Sequence, residues 1–221
     1  MRRPDPTARR VLDAYAEAGP VARVHSVGRW WSCPFDLVEA VLPRSGRVLD
    51  FGCGHGHFSM YLAMMSPDRD VFGIDIDDAK IEIGRSVVSR AGFGGRVELQ
   101  AVESGWRPGA EEFDVVVAND VLYLMGVESA TSLLDSIAVA LRPGGRAVIK
   151  EMGDSPRWKH RLNVVQEHLS TRVLRITEGT TVEVLTAGQI ESPLRGQGLR
   201  VEARRMDRGY PHAHLAFIAD R

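Results

Sequence analysis

From Arg47 to Glu151, short runs rich in Val and Ile alternate with segments of helical spacing, and this alternation limits the fold more than any other feature of the chain. The runs are "RVLDF" (47–51), "DVFGID" (70–75), "RVELQA" (96–101), "FDVVVA" (113–118) and "GRAVIKE" (145–151). Their length and β-branched content read as buried strands. Helical spacing fills "GHFSMYLAMM" (56–65), "DAKIEIGRSVVSRA" (78–91) and "ESATSLLDSIAVAL" (128–141), the last stopped by "RPGG". Strands joined by helices imply right-handed crossovers, hence a parallel sheet with helices on both faces.

Beyond Glu151 the pattern changes. Residues 156–176 read as one long helix, with Trp158, Leu162, Val165, Leu169, Val173 and Ile176 on a single stripe. Opposite them stand Arg157, Lys159, His160, Arg161, His168, Arg172 and Arg175, either a solvated face or a basic surface. Thr186 and Gln189 have capping-box spacing, and Pro193 is expected to end or kink that helix early. "LRVEARRM" (199–206) and "HAHLAFIAD" (212–220) read as a terminal hairpin around "DRGYP". Ahead of the sheet, "TARRVLDAYAEAG" and "DLVEAVL" read as helices laid over one edge. The 221 residues suit a single domain: an N-terminal helical cap (1–45), a core (46–151), and a helix with the terminal hairpin (152–221).

Three glycines crowd the end of the first run, in "VLDFGCGHGHF". Glycine permits positive φ and close approach of another molecule. In an open parallel sheet, ligands bind outside the carboxyl ends of the strands. Gly52, Gly54 and Gly56 occupy that place at the mouth of the first helix, where backbone N–H groups can face a ligand. Asp75 ends the neighbouring strand, with a carboxylate suited to the two hydroxyls of a ribose. Loop and acid describe a nucleoside-binding cleft. The loop is G-x-G-x-G rather than the dinucleotide G-x-G-x-x-G, and it lacks the Lys-Ser/Thr ending of a triphosphate loop.

Here the chain resembles the class I S-adenosylmethionine-dependent methyltransferases. The residues that carry the resemblance are "VLDFGCGHG", "VFGIDID", "FDVVVANDVLYLM" and "LRPGGRAVIKE", four motifs in the family's order, with the terminal hairpin matching its last two strands. The resemblance implies an α/β fold: a seven-stranded, mostly parallel, doubly wound Rossmann-like sheet with an antiparallel last strand and N-terminal helices. It implies S-adenosyl-L-methionine as cofactor and S-adenosyl-L-homocysteine as product. Asp50, Gly52, Cys53, Gly54 and Gly56 would line the methionine end, Asp75 would bind the ribose, and Ile76 would pack on the adenine. Asn119 would offer its carbonyl to the cofactor's amino group. After the third strand the family commonly has an Asp for the adenine amine. Here either Glu103 takes that role or only the Val102 backbone does.

Other residues invite chemistry of their own. His55 and His57 lie on a turn without carboxylate or cysteine partners, so no metal is expected there, and Cys53 reads as a small filler rather than a nucleophile. A base is needed only when the acceptor must lose a proton. The candidates at the strand ends are His212, Glu151 and Tyr123, with Asp120, Tyr210 and His214 nearby. Trp30 and Trp31 either line an apolar acceptor pocket or anchor the N-terminal helices.

The acceptor is narrowed mainly by exclusion. "NDVL" replaces the Asn- or Asp-Pro-Pro-Tyr of enzymes that methylate base amines, no cysteine stands near it for pyrimidine C5 chemistry, and the paired-glutamate loop of arginine methyltransferases is missing. Net charge is −1, so no global field recruits nucleic acid. A small-molecule or lipid-like acceptor is expected, with peripheral membrane contact through the basic helix as a variant. The alternatives are an RNA methyltransferase using residues 156–176 and a non-catalytic interaction module. Two cysteines, no secretory-type apolar stretch and no membrane-length apolar run lead to the expectation of a cytoplasmic enzyme. Oligomeric state is not legible.

Overall fold

The computed structural model describes residues 3–153 and 185–221. The long helix expected over 156–176, with its basic face, lies outside them. Three helices open the chain: α1 (Pro6–Ala16), α2 (Pro20–Ser32) and α3 (Phe35–Glu39). There follow β1 (Gly46–Phe51), α4 (His57–Met65), β2 (Arg69–Asp75), α5 (Asp78–Arg90), β3 (Val97–Ala101) and β4 (Phe113–Asn119). A 3-10 turn (Leu122–Leu124), α6 (Val127–Ala140), β5 (Leu141–Met152), α7 (Ala187–Gly196), β6 (Arg200–Arg205) and β7 (His214–Asp220) complete the described chain.

The strands form one seven-stranded sheet in the order β3-β2-β1-β4-β5-β7-β6. The first five are parallel, and β7 runs antiparallel to both β5 and β6. The order reverses between β1 and β4, the switch point at which an open α/β sheet leaves a crevice for a ligand.

Successive strand residues point to opposite faces, and the continuous apolar runs therefore feed two cores. Val48, Val71, Val115, Val117 and Val148 face α1, α3, α4 and α5. Leu49, Ile74, Val116, Ala118 and Ile149 face α6 and α7. A strand with apolar residues at every position has no solvated side, so the sheet must be covered twice.

Four local expectations are corrected. Residues 20–32 form α2, a helix the sequence reading did not identify; Pro20 opens it at the first position and Pro34 stands just beyond its end. α1 does not lie along a sheet edge. It packs on α4, where Tyr61 Oη donates to Asp5 Oδ2 at 2.7 Å and Tyr15 Oη donates to the His55 carbonyl. Of the two outcomes expected of Pro193, an early end is not what occurs, since α7 runs on to Gly196. Proline removes one helical hydrogen bond, but Ile190 and Leu194 on either side of it are fully packed, and Thr186 and Gln189 close the expected capping box. Finally, α6 does stop ahead of "RPGG", at Ala140, but that segment is part of β5 rather than a turn, and the register of β5 against β4 shifts between the Phe113 and Val115 pairings.

Candidate cofactor and active site

The glycine loop leaves β1 at the switch point. A Cβ on Gly52 would stand 2.5 Å from Val121 Cγ2, so the loop after β4 approaches this backbone as closely as glycine allows, at φ +72°. Gly54 is also left-handed, at φ +56°, yet nothing lies within 4 Å of where its Cβ would be. Gly52 serves internal packing; Gly54 leaves a surface open.

Asp75 ties the loop to the end of β2. Its Oδ2 accepts the Gly54 N–H at 2.8 Å, and its Oδ1 accepts the Asp77 N–H at 2.9 Å. Each carboxylate oxygen retains a further lone pair for a ligand hydroxyl. Ile76, next in sequence, is 68% exposed, an apolar side chain held out beside this carboxylate. Asp50 is buried and accepts from Ser59 Oγ at 2.6 Å, fixing the start of α4 to β1. Burial pushes its carboxyl up to about 6, against the Ser59 hydrogen bond. The Cys53 N–H donates to the Ile74 carbonyl at 2.9 Å. Burial, with the charges of Asp50 and Asp75, raises its thiol well above the ordinary range, which disfavours the nucleophilic thiolate.

At the end of β3 the Val102 N–H donates to the Asp75 carbonyl at 3.0 Å, so it is already engaged within the protein. Glu103 is exposed, and its carbonyl accepts the Trp106 N–H at 3.1 Å. Asn119, at the end of β4, is buried with both side-chain polar atoms lacking a partner among the described residues. The sequence led to the expectation that Asn119 offers a carbonyl to the cofactor's amino group. Buried amides without partners are rare in folded proteins, and one beside a cleft points to a group the structure does not contain.

A second set of polar groups gathers at the ends of β4 and β5. Lys150 Nζ lies 2.6 Å from both carboxylate oxygens of Asp120, and Arg29 Nη1 lies 3.2 Å from Oδ2. Burial opposes the Asp120 charge, but Lys150 and Arg29 hold its carboxyl far below the usual range. Glu151 Oε1 accepts the N–H groups of Val121 and Leu122 at 3.0 and 2.9 Å, shaping the turn that carries Tyr123. Burial pushes the Glu151 carboxyl up to about 8, with the Asp120 charge adding to it against those two amides.

The terminal hairpin reaches the same place, since His214 pairs with Met152 at the end of β5. His214 is buried, and neither ring nitrogen has a well-aligned hydrogen-bond partner among the described residues, although the Ser32 backbone lies beside it. Burial and the Lys150 charge push its imidazole down to about 2. The His212 ring, half-buried, lies 6.1 Å from that of His214. Tyr210 is structural, donating to Asp36 Oδ1 at 2.6 Å and so fastening the hairpin to α3. Trp30 is an anchor, packed against Phe35 and Tyr61 at centroid distances of 5.6 and 5.0 Å.

Expected site residues thus form two neighbouring groups, one around Gly54 and Asp75 and one around Asp120 and Glu151. Lys150 and Arg29 were missed. The only sequence signal for Lys150 is a lone cation inside the apolar run "RAVIKE".

A family model described as a methyltransferase domain matches residues 28–203. Among curated relatives, trans-aconitate 2-methyltransferase of Variovorax paradoxus is 31% identical over 126 residues, covering 57% of this chain and 46% of that protein. Malonyl-(acyl-carrier protein) O-methyltransferase of Methylococcus capsulatus is 29% identical over 175 residues, 76% of this chain and 58% of that one. The chain spans about half the length of the curated relatives it matches. Among solved structures, an O-methyltransferase family protein from Burkholderia thailandensis has the same fold, with a TM-score of 0.65 at 21% identity over 85% of this chain and 55% of that one.

Proposed function

The chain belongs to the methyltransferase domain family, and on that premise we propose that it transfers a methyl group from S-adenosyl-L-methionine to a small-molecule or lipid-like acceptor. The observation that carries this reading is the Asp75 carboxylate, bonded to the Gly54 N–H at 2.8 Å at the sheet's switch point. Three further observations fit such a cofactor: the open surface over Gly54, the outward Ile76 and the unpartnered amide of Asn119. When bound, the sulfonium supplies a methyl carbon already activated for in-line displacement.

The chain's own residues then bind and orient. Asp75 accepts the ribose hydroxyls, Ile76 packs on the adenine face, and the strand end at Val102 and Glu103 meets its polar edge. Cys53 and Gly54 line the methionine end, held in place by the buried Asp50 and by the close packing of Gly52 on Val121 and Gly56 on Leu99, and Asn119 closes it. Holding an acceptor in line with the methyl carbon supplies much of the rate. Where the acceptor must lose a proton, His212 is the base we assign. Glu151, engaged with two backbone amides, positions the turn bearing Tyr123. The acceptors printed in the names of the two curated relatives, trans-aconitate and malonyl-(acyl-carrier protein), are compatible with this reading. No described helix is long and apolar enough to cross a membrane.

Calorimetric titration with S-adenosyl-L-homocysteine tests the proposal, with NAD as control and Asp75→Ala alongside the wild type. Micromolar binding of the first ligand only, weakened by about 1–3 kcal/mol in the variant, supports it and opens an acceptor screen. Absence of binding to the wild type overturns it in favour of an interaction module.

A further inference from the structure

Three imidazoles from separate elements meet beside the glycine loop. His25 comes from α2, His55 from the loop itself, and His57 from the first turn of α4. One nitrogen of each lies within 4.8 Å of the other two. Their ring centroids are 4.6 Å apart for His25 and His55, 5.7 Å for His25 and His57, and 5.5 Å for His55 and His57. Sequence spacing could not show this set, because the third member arrives on a helix thirty positions earlier in the chain.

The hydrogen bonding around the set leaves lone pairs rather than protons available. Ser26 Oγ donates its one hydrogen to the Ala22 carbonyl at 2.5 Å and also contacts His57 Nε2. A carbonyl only accepts, so His57 Nε2 must carry the proton and donate it to Ser26 Oγ, which leaves Nδ1 as the lone-pair atom of that ring. This is the outer-shell arrangement that fixes the tautomer of ligating histidines. His55 Nδ1 is buried without a partner among the described residues. His25 is exposed, so one side of the set opens to solvent.

We propose that His25, His55 and His57 form a three-imidazole site for a zinc-class divalent cation, with a fourth position open to water. A tetrahedral ion at about 2.0–2.1 Å from each nitrogen brings ligand atoms to roughly 3.4 Å from one another. Rotamer adjustments on the order of an ångström therefore close the set. Burial lowers all three imidazoles from the ordinary histidine value, His25 to about 4 with the neighbouring His55 adding to it. The charges facing the set are Asp75 and Asp77 on one side and Lys80 and Arg29 on the other; Lys80 is already paired with Asp77 at 2.9 Å. Occupied, the site would join α2 to the glycine loop through the ion.

The test uses the full chain after chelator treatment, titrated with Co2+ and Zn2+ alone. The expected result is one Co2+ per chain with the visible absorption of tetrahedral cobalt, displaced by Zn2+, and a rise in Tm with either ion. His25→Ala is the variant of choice, because an exposed side chain can be truncated without opening the core, and it should weaken binding at least tenfold. His55→Gln should do the same while unchanged circular dichroism reports an intact fold. Failure to bind either ion overturns the site, and so does binding that both variants leave unchanged.

Discussion

Lys150, fully buried in the middle of the sheet, places its ammonium 2.6 Å from both oxygens of Asp120, whose backbone is left-handed at φ +59°. The pair joins the end of β5 to the turn after β4, and Arg29 extends it to α2. A buried charge left without its counter-charge is more damaging than the pair is stabilising. Asp120→Asn, which leaves the buried Lys150 ammonium without its counter-charge, should therefore cost about 3 kcal/mol in urea denaturation. Asp120→Asn combined with Lys150→Met should recover most of that loss, since Asn tolerates the left-handed region. A double variant no more stable than the single one would refute the pairing.

The two glycines of the loop should fail in different ways. Gly52→Ala meets Val121 at 2.5 Å and forces a shift of the β4 turn, so a loss of roughly 2–3 kcal/mol is expected. Gly54→Ala has open space around the new methyl group and bears only the backbone strain, about 1–2 kcal/mol. Its larger effect should appear in calorimetry, as at least a tenfold loss of S-adenosyl-L-homocysteine affinity. Equal effects of the two substitutions on stability, with ligand affinity untouched, would remove Gly54 from the binding surface.

Ile76 offers a separation of stability from binding. At 68% exposure it contributes little to the fold, and Ile76→Ser should leave stability within about 0.5 kcal/mol. If its side chain packs on adenine, ligand affinity should fall by about 1–2 kcal/mol, the burial value of part of an aliphatic side chain. An unchanged dissociation constant would mean that adenine lies elsewhere.

Glu151 should leave a mark on the pH dependence of stability. Its folded carboxyl is raised to about 8, while the unfolded one titrates near 4.5. Between these values the folded state binds one more proton, so stability falls as pH rises and levels off above about 8. His214, lowered to about 2, works in the opposite sense and only below the ordinary histidine range. From pH 6.5 to 8 the Glu151 contribution is thus separable from that of His214, at no more than about 2 kcal/mol. Glu151→Gln should flatten the stability curve across that window, measured by denaturation at several pH values. A slope equal to that of the wild type would show that Glu151 is ionised in the folded protein.

Local pattern and long-range contact divided the legibility of this molecule. Strand and helix positions followed from periodicity because each residue's face is set by the geometry of its own element; Val48 and Leu49 went to opposite cores for that reason alone. The glycine loop and Asp75 were readable because they occupy adjoining strand ends, and parallel topology brings such ends together. α2 was missed because its apolar residues do not form one stripe, Val24 and Val27 being exposed while Ala22 and Trp30 are buried, and its role depends on what it covers.

What the sequence determined by itself was therefore the alternation that builds a doubly wound sheet, and the loop and acid at its switch point. The tertiary structure alone decided the rest. Tyr210 meets Asp36 across 174 positions, Arg29 reaches Asp120 across 91, and His25 joins His55 and His57 from another helix. Periodicity says which way a side chain points, whereas its partner is chosen by how whole elements pack, and that choice depends on the summed burial of the chain rather than on any one segment.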